Sequence, residues 1–330
     1  MSAHPPRLRA YLLLTASMAL VGSYVALSKP LLAVFPVLVL ALLRFAIAAV
    51  AMIPWTRPAR DEPPLTRSEH LQLFLMSFFG NFLFSIAMLN GVARTTASAA
   101  GVILSTLPAV VALLSWLLLR ERLGGRAVLA IALAVAGIAL LSLVRADDSG
   151  RASALLGNVL MLAAVVCEAS YVIFARRLAQ RRAPLRVSAL INLWGLALIA
   201  PWGLWQLVQT PIDFAAVGAG DWLLLVFYAL AASLFAVWLW MTGMRDVPAS
   251  TAGVFTVALP ISATLVGALL LGEPFSLLHL VALLLAAAGV LLIATAPART
   301  DGVQSRSAAE SATNSTTDAT PRPAAGPPTQ

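Results

Sequence analysis

Charged side chains are scarce in this chain. Asp, Glu, Lys and Arg make up 11% of the 330 residues, whereas soluble domains carry about 25%. Hydrophobic residues make up 60% of the chain, and the mean hydropathy is +0.90. This composition excludes an ordinary soluble domain and predicts an integral membrane protein.

Residues that serve in catalysis and metal binding are scarce as well. The chain has one cysteine, Cys167, so no disulfide can form within it, and its three histidines are far apart in sequence. The sequence contains no HExxH, no G-x-S-x-G and no P-loop motif. We therefore predict neither an enzyme nor a metal site nor a cofactor, and no pump driven by ATP.

Long apolar runs separate the few charges. A helix needs roughly 20 residues to cross a hydrocarbon core about 30 Å thick, and a spanning helix satisfies its own backbone hydrogen bonds. The short alternating segments of a membrane barrel are absent from the sequence. We predict an all-α integral membrane protein with ten transmembrane helices, called segments 1 to 10. Their predicted bounds are 10–28, 34–54, 71–90, 97–119, 126–144, 153–175, 187–208, 222–242, 249–271 and 276–296.

One stretch of the chain occurs twice. Residues 91–121 recur 152 residues later as residues 243–273, with thirteen of the 31 paired positions identical. Each copy belongs to a repeat of five segments, and because five is odd the second repeat must be inverted relative to the first. Such a 5+5 inverted-topology repeat is the usual basis of alternating access, so the duplication points first to a transporter. The paired positions include Gly101 with Gly253, Pro108 with Pro260, and Glu121 with Glu273.

The basic residues predict the orientation of the chain. Counted from a cytoplasmic N-terminus, 17 of the 22 Lys and Arg residues fall on the cytoplasmic side and four on the opposite side, while Arg44 lies within segment 2. Positive residues favour the cytoplasmic side, so both termini should be cytoplasmic in a bacterial inner membrane. The net charge of +8 has the same origin and does not indicate nucleic-acid binding.

The apolar segments and the polar stretches between and around them divide the chain into five regions. A short polar linker separates the two repeats, and the last region is rich in Ala, Ser, Thr and Pro and should be disordered. The regions are a cytoplasmic N-terminal arm (1–9), a first five-helix repeat (10–145), a linker (146–152), a second five-helix repeat (153–296) and a cytoplasmic tail (297–330).

Two charges lie inside segments, away from the predicted helix ends. Arg44 lies in segment 2 and Glu168 in segment 6. A charge at the centre of a bilayer costs at least about 2.5–3.5 kcal/mol, so each should face the bundle interior or water. Arg44 would bind a substrate carboxylate, or alternatively bind backbone carbonyls or reach the cytoplasmic interface. Glu168 would bind an ammonium group or carry a coupling proton, or alternatively pair between helices. Together they would suit a zwitterion, although pairing with each other is an equal alternative.

Pro108 and Pro260 occupy equivalent places in segments 4 and 9. Proline removes a backbone donor and frees a carbonyl in the preceding turn. Broken helices at repeat-related positions indicate a transport site, the alternative being kinks that serve packing alone. Gly101 and Gly253 precede these prolines and predict a close approach between helices, with a further role in gating.

Several polar and aromatic residues within the segments are candidates to line a solute cavity. The alternative for each is an interhelical hydrogen bond or a place in the aromatic belt at the membrane surface. The candidates for substrate binding, besides Arg44 and Glu168, are Tyr24, Asn81, Tyr171, Asn192 and Trp238.

Glu121 and Glu273 end segments 4 and 9, and their symmetry predicts a shared structural role, such as pairing with Arg120, Arg122 or backbone amides.

In these features the chain resembles the drug/metabolite transporter superfamily, and within it the ten-helix EamA type. The resemblance covers residues 10–296 and departs at Val21-Gly22, where the family often has Trp-Gly, and at Asn192-Leu193, where the Arg-Phe pair is not repeated. It implies a transporter that moves amino acids or related metabolites. The residues that carry it are Leu43-Arg44-Phe45, Ala97-Ser98, Gly101, Pro108, Leu119, Glu121, Ala249-Ser250, Gly253, Pro260 and Glu273.

We therefore predict a secondary transporter that exports a small organic metabolite, foremost an amino acid or a related amine-bearing compound, by alternating access. Its partners would be the small-molecule substrate, membrane lipid and a coupling proton, in a monomer or homodimer. Two other classes stay open. One is a passive channel or facilitator for small solutes, and the other is a non-transporting membrane receptor or scaffold.

Overall fold

Every regular element in the described part of the chain is helical. The computed structural model describes residues 5–58, 62–119, 125–143, 148–178, 182–243, 255–274 and 276–294, all within one compact unit, Met1–Ala296. Gly253, Glu121 and the predicted tail lie outside these ranges. The helices are α1 (Pro5–Val34), α2 (Val37–Ala51), α3 (Ile53–Thr56), α4 (Arg67–Ser77), α5 (Phe84–Val92), α6 (Ala97–Leu104), α7 (Leu107–Leu119), α8 (Gly125–Leu143), α9 (Asp148–Leu178), α10 (Pro184–Gln209), α11 (Ala219–Leu230), α12 (Ala236–Gly243), α13 (Ala258–Leu269) and α14 (Leu277–Ala294).

The apolar helices account for all ten predicted segments. Six helical stretches are long and apolar enough to cross a membrane, and they correspond to segments 1, 3, 4, 6, 7 and 8. Shorter apolar helices occupy the other four segments. The predicted fold class, an all-α membrane protein of ten helices in a 5+5 inverted repeat, is confirmed. The four shorter helices are Val37–Ala51, Val128–Gly137, Ala258–Leu269 and Leu277–Gly289.

Local sequence signals mark the first residues of several of these helices. Pro36 directly precedes α2, where its fixed φ and missing donor are harmless. α4 begins with a capping box, in which the Glu69 amide donates to the Thr66 hydroxyl at 3.3 Å and the Thr66 amide donates to the Glu69 carboxylate at 2.8 Å. The Thr-x-x-Glu spacing therefore satisfies two amides at the start of segment 3.

Segments 4 and 9 are interrupted near their prolines. α6 ends at Leu104, and α7, with Pro108 as its second residue, begins after a two-residue turn. In segment 9, a 3₁₀ turn at Phe255–Val257 precedes α13, whose third residue is Pro260. Both prolines thus lie in the first turn of a helix. An N–H group there has no partner within the helix, so its absence in proline costs no helical hydrogen bond.

Small residues allow helices of the two repeats to approach closely. A Cβ atom on Gly101 would collide with the Cβ of Ala263 in α13. A Cβ on Gly22 in α1 would collide with the Leu259 carbonyl oxygen and the Ser262 hydroxyl, and that hydroxyl donates to the Ala19 carbonyl at 2.7 Å. α13 therefore packs tightly against both α1 and α6, and through them the second repeat contacts the first.

Segments 3 and 8 each contain a π-helical turn. One is Phe78–Leu83, between α4 and α5, and the other is Ala231–Phe235, between α11 and α12. Asn81 in the first and Ser233 in the second stand at the same distance before the repeat-related Gly91 and Gly243. Because π-helical turns are rare and concentrate at functional sites, their recurrence indicates a feature retained in both repeats.

The packing at Gly22 predicts a specific sensitivity. We expect Gly22→Ala to lower the free energy of unfolding by about 1–3 kcal/mol, because the new methyl group collides with the backbone of α13. Gly220→Ala is the matched control, since a Cβ there meets no atom within 4 Å. Thermal unfolding of the purified variants in detergent measures the difference. Equal melting temperatures for the two variants would contradict the close contact.

Candidate functional site

Arg44 is buried in the interior of the bundle. Only 4% of its surface is exposed, and its Nη2 donates a hydrogen bond to the Ser85 hydroxyl at 2.9 Å. Its guanidinium carbon lies 4.2 Å from the ring centroid of Phe45 and 5.9 Å from that of Tyr228. These contacts come from α2, α5 and α11, and cation–π attraction offsets part of the cost of burying the charge.

Two polar atoms at this position have no partner among the described residues. They are Nε of Arg44 and the hydroxyl oxygen of Tyr228, and both are fully buried. Buried polar atoms are nearly always hydrogen-bonded, so each unpaired atom calls for an explanation. The Arg44 Nε–H can only donate, and it remains available to an acceptor.

Glu168 lies close to Arg44 without forming an ion pair. The carboxylate interacts electrostatically with Arg44 and with the hydroxyl of Tyr24, and the residue is partly buried. In the described part of the chain no salt bridge joins Glu168 to Arg44. Arg44 and Glu168 therefore share one interior region of the bundle without a salt bridge between them.

One tyrosine from each repeat interacts with Glu168. Ser23-Tyr24-Val25 in α1 recurs as Ser170-Tyr171-Val172 in α9, and both tyrosines interact electrostatically with Glu168. The Tyr24 ring meets the Tyr228 ring edge-on at 5.9 Å. Arg44, Glu168, Tyr24, Tyr171 and Tyr228 form what we call the central polar cluster.

The Tyr171 ring rests against the π-helical turn of segment 3. A Cβ on Gly80 would lie only 2.7 Å from the ring, so glycine is needed for this approach. The turn therefore brings the first repeat against the helix that carries Glu168.

Asn81 and Asn192 connect helices near the two π-helical turns. The Asn81 amide donates to the Ile191 carbonyl at 2.8 Å, and the Ser233 hydroxyl donates to the Asn192 side-chain oxygen at 3.0 Å. The Asn192 amide donates to the Ser188 carbonyl at 2.8 Å within α10. These bonds join segments 3, 7 and 8, and a substrate-binding role for either asparagine stays a prediction.

Trp238 lies on the surface of the bundle. It is 47% exposed in α12. Within the described residues, no ring contact or hydrogen bond links its side chain to the central polar cluster. Its predicted role as a substrate ligand stays a prediction.

At one end of the bundle, a carboxylate of the second repeat binds the first repeat. Glu273 accepts hydrogen bonds from the Ala97 amide at 2.9 Å and the Ser98 amide at 3.3 Å, at the start of α6. Lys29 donates to the same carboxylate at 2.5 Å. Gly272, with a φ of 64°, turns the chain directly before Glu273. The predicted pairing of Glu273 with backbone amides is confirmed, and we call these contacts the Glu273 contact set.

A second set of ion pairs, the Arg182 contact set, also joins the repeats. Arg182 donates to the Glu69 carboxylate at 2.9 and 3.0 Å, to Glu62 at 3.0 Å and to the Pro63 carbonyl at 2.7 Å. Arg186 pairs with Glu62 as well. The hydrogen bonds to Glu69 and Glu62 raise the pKa of Arg182 above its ordinary value. Because the chain crosses the membrane once between Lys29 and Glu62, the two contact sets lie at opposite ends of the bundle.

A ten-helix bundle of two repeats with charged groups enclosed at its centre is the architecture of a membrane transporter. The model of the EamA-like transporter family matches residues 8–143 and 155–295. The chain therefore belongs to the EamA-like transporter family, and the resemblance found in the sequence is confirmed.

Relatives agree with this family, and a solved structure shares the fold. A Bacillus subtilis protein named uncharacterized transporter YetK is 34% identical over 285 residues, which cover 86% of each chain. An Archaeoglobus fulgidus protein named uncharacterized transporter is 26% identical over 242 residues, covering 72% of this chain and 81% of its own. A crystal structure with 19% identity and a TM-score of 0.58 covers 86% of this chain and 95% of its own, and it shows the fold alone.

The Glu273 contact set predicts graded effects on stability. We expect Glu273→Ala to lower the free energy of unfolding by about 1–3 kcal/mol, because two backbone amides and Lys29 lose their shared acceptor. Glu273→Gln keeps an acceptor for an amide and should lower it less. Thermal unfolding of both purified variants tests this order. A larger effect of Gln than of Ala would contradict it.

Proposed function

We propose that this protein is a secondary transporter that exports a small zwitterionic or amine-bearing metabolite, such as an amino acid, across the bacterial inner membrane. The observation that carries the proposal is that Arg44 and Glu168 share the interior of the bundle without pairing. Both termini would be cytoplasmic, as the distribution of basic residues predicts.

A zwitterion matches the charges of the central polar cluster. Its carboxylate would face Arg44 and its ammonium group would face Glu168, beside the rings of Tyr24 and Tyr171. Tyrosine faces attract cations, and charges interact more strongly in a poorly solvated interior than in water. A solute bound in this way would lose its hydration but gain two charge partners, which lowers its barrier to crossing the membrane.

The contacts at the two ends of the bundle favour alternating access rather than an open channel. The Glu273 and Arg182 contact sets each join one repeat to the other, and they lie at opposite ends. A solute could leave the centre toward one side only after the contacts on that side separate. Inverted repeats allow the two openings to use equivalent packings. The outward direction rests on the resemblance to exporters of this family.

Glu168 would also carry the coupling proton. A carboxylate that binds a substrate ammonium group can bind a proton in its place, so the two would compete at one site. Exchange of one for the other as the protein changes state would drive export against a gradient.

Transport by purified protein in liposomes tests the proposal. With a mixture of labelled L-amino acids inside, we expect saturable efflux that an opposing proton gradient accelerates. Glu168→Gln should abolish the dependence of efflux on the pH gradient, because glutamine cannot exchange a proton. Asp213→Asn, which changes an exposed carboxylate in a loop, is the matched control and should behave as the wild type.

The outcomes separate the candidate functions. Flux without saturation or counterflow would indicate a passive channel, and absence of flux for every solute would indicate a receptor or scaffold. A Glu168→Gln variant with unchanged flux and pH dependence would contradict the role of Glu168 in coupling.

A further inference from the structure

Tyr228 carries a hydroxyl group that the packing of the bundle leaves unpaired. The residue has 0% exposure, and its ring contacts both the Arg44 guanidinium and the Tyr24 ring. Its hydroxyl has no hydrogen-bond partner among the described residues. A phenylalanine would fill the same volume without burying a polar group, so packing alone does not account for a tyrosine here.

Arg44 presents a second unpaired donor beside this ring. Nη2 is bound to Ser85, and the Phe45 ring lies 4.2 Å from the guanidinium carbon, but Nε has no partner. Arg44 is 4% exposed, so bulk water does not satisfy it. Two buried donors, one of them charged, therefore remain for an acceptor that the described chain does not supply.

The charge of the cluster limits what this acceptor can be. Arg44 contributes one positive charge to this interior region, and Glu168, which interacts with it electrostatically, contributes one negative charge when it is ionised. A solute that carries one carboxylate and one ammonium group leaves this sum unchanged, whereas a phosphate or a dicarboxylate would add uncompensated negative charge. A carboxylate also has two oxygens, which can accept from two donors at once.

We propose that Arg44 Nε and the Tyr228 hydroxyl form the subsite for the carboxylate group of a zwitterionic solute that has a single carboxylate, with Tyr228 determining specificity. The inference rests on the proposed transport function and names the solute class of the same cluster. α2 of the first repeat supplies Arg44, and α11 of the second supplies Tyr228. A bound carboxylate therefore bridges the two repeats, and its release frees them to move apart.

The substitution Tyr228→Phe removes the hydroxyl and keeps the ring. The probes are the twenty common L-amino acids and their carboxamides, measured by the thermal shift of purified protein. We expect some of the acids, but not their amides, to stabilise the wild type. Tyr228→Phe should weaken the binding of those acids about tenfold, as the loss of one hydrogen bond to a charged group predicts.

A second readout does not depend on any ligand. Without added solute, Tyr228→Phe should melt at the same temperature as the wild type or higher, because it removes an unpaired buried hydroxyl. Tyr11→Phe is the matched control, since Tyr11 contacts Phe255 at 5.1 Å outside the cluster, and it should bind the acids as the wild type does. A purely structural role for the Tyr228 hydroxyl would instead lower the melting temperature.

The remaining outcomes distinguish the subsite from the transport function. Equal affinities of wild type and Tyr228→Phe for the acids, or equal binding of acids and amides by the wild type, would overturn the subsite while transport stands. Absence of a shift with every acid would overturn it as well. Failure of the transport function itself would appear as absence of flux for amines, amides and acids alike in liposomes.

Discussion

Burial of the Arg44 charge within the membrane is the interaction on which the interior of this protein depends. A guanidinium group in lipid is too costly unless the bundle surrounds it with partners. Ser85 and the Phe45 and Tyr228 rings supply part of that surrounding, and they come from three different helices. The position of Arg44 therefore constrains the packing of α2, α5 and α11.

The two repeats contact one another through small residues at the centre and through ion pairs at the ends. Gly22 and Gly101 allow α1 and α6 to lie against α13 with little side-chain volume between them. Smooth contacts of this kind permit sliding, whereas the contacts of Glu273 and Arg182 must break for the ends to separate. The contacts between the repeats thus differ along the bundle, with small residues against α13 and ion pairs at the two ends.

Much of the fold could be predicted from the sequence because the bilayer allows few alternatives. Apolar runs, the duplicated stretch and the bias of the arginines each have one main structural explanation. Arg44 and Glu168 were identifiable because a charge inside an apolar run is conspicuous. The recurrence of Ser23-Tyr24-Val25 as Ser170-Tyr171-Val172 was missed, although it can be read directly from the sequence.

Tyr228 and the contact between Lys29 and Glu273 were harder to find. Each depends on which helices pack together across the two repeats, and no local pattern records that. Trp238 is 47% exposed, and the sequence alone does not distinguish an aromatic residue at the membrane surface from one that lines a cavity. The inverted orientation of the second repeat is the feature on which the proposed transport depends most. Reporter tags inserted after residues 145 and 296 test this orientation most directly. It predicts that the two tags lie on opposite faces of the membrane, and tags on the same face would contradict it.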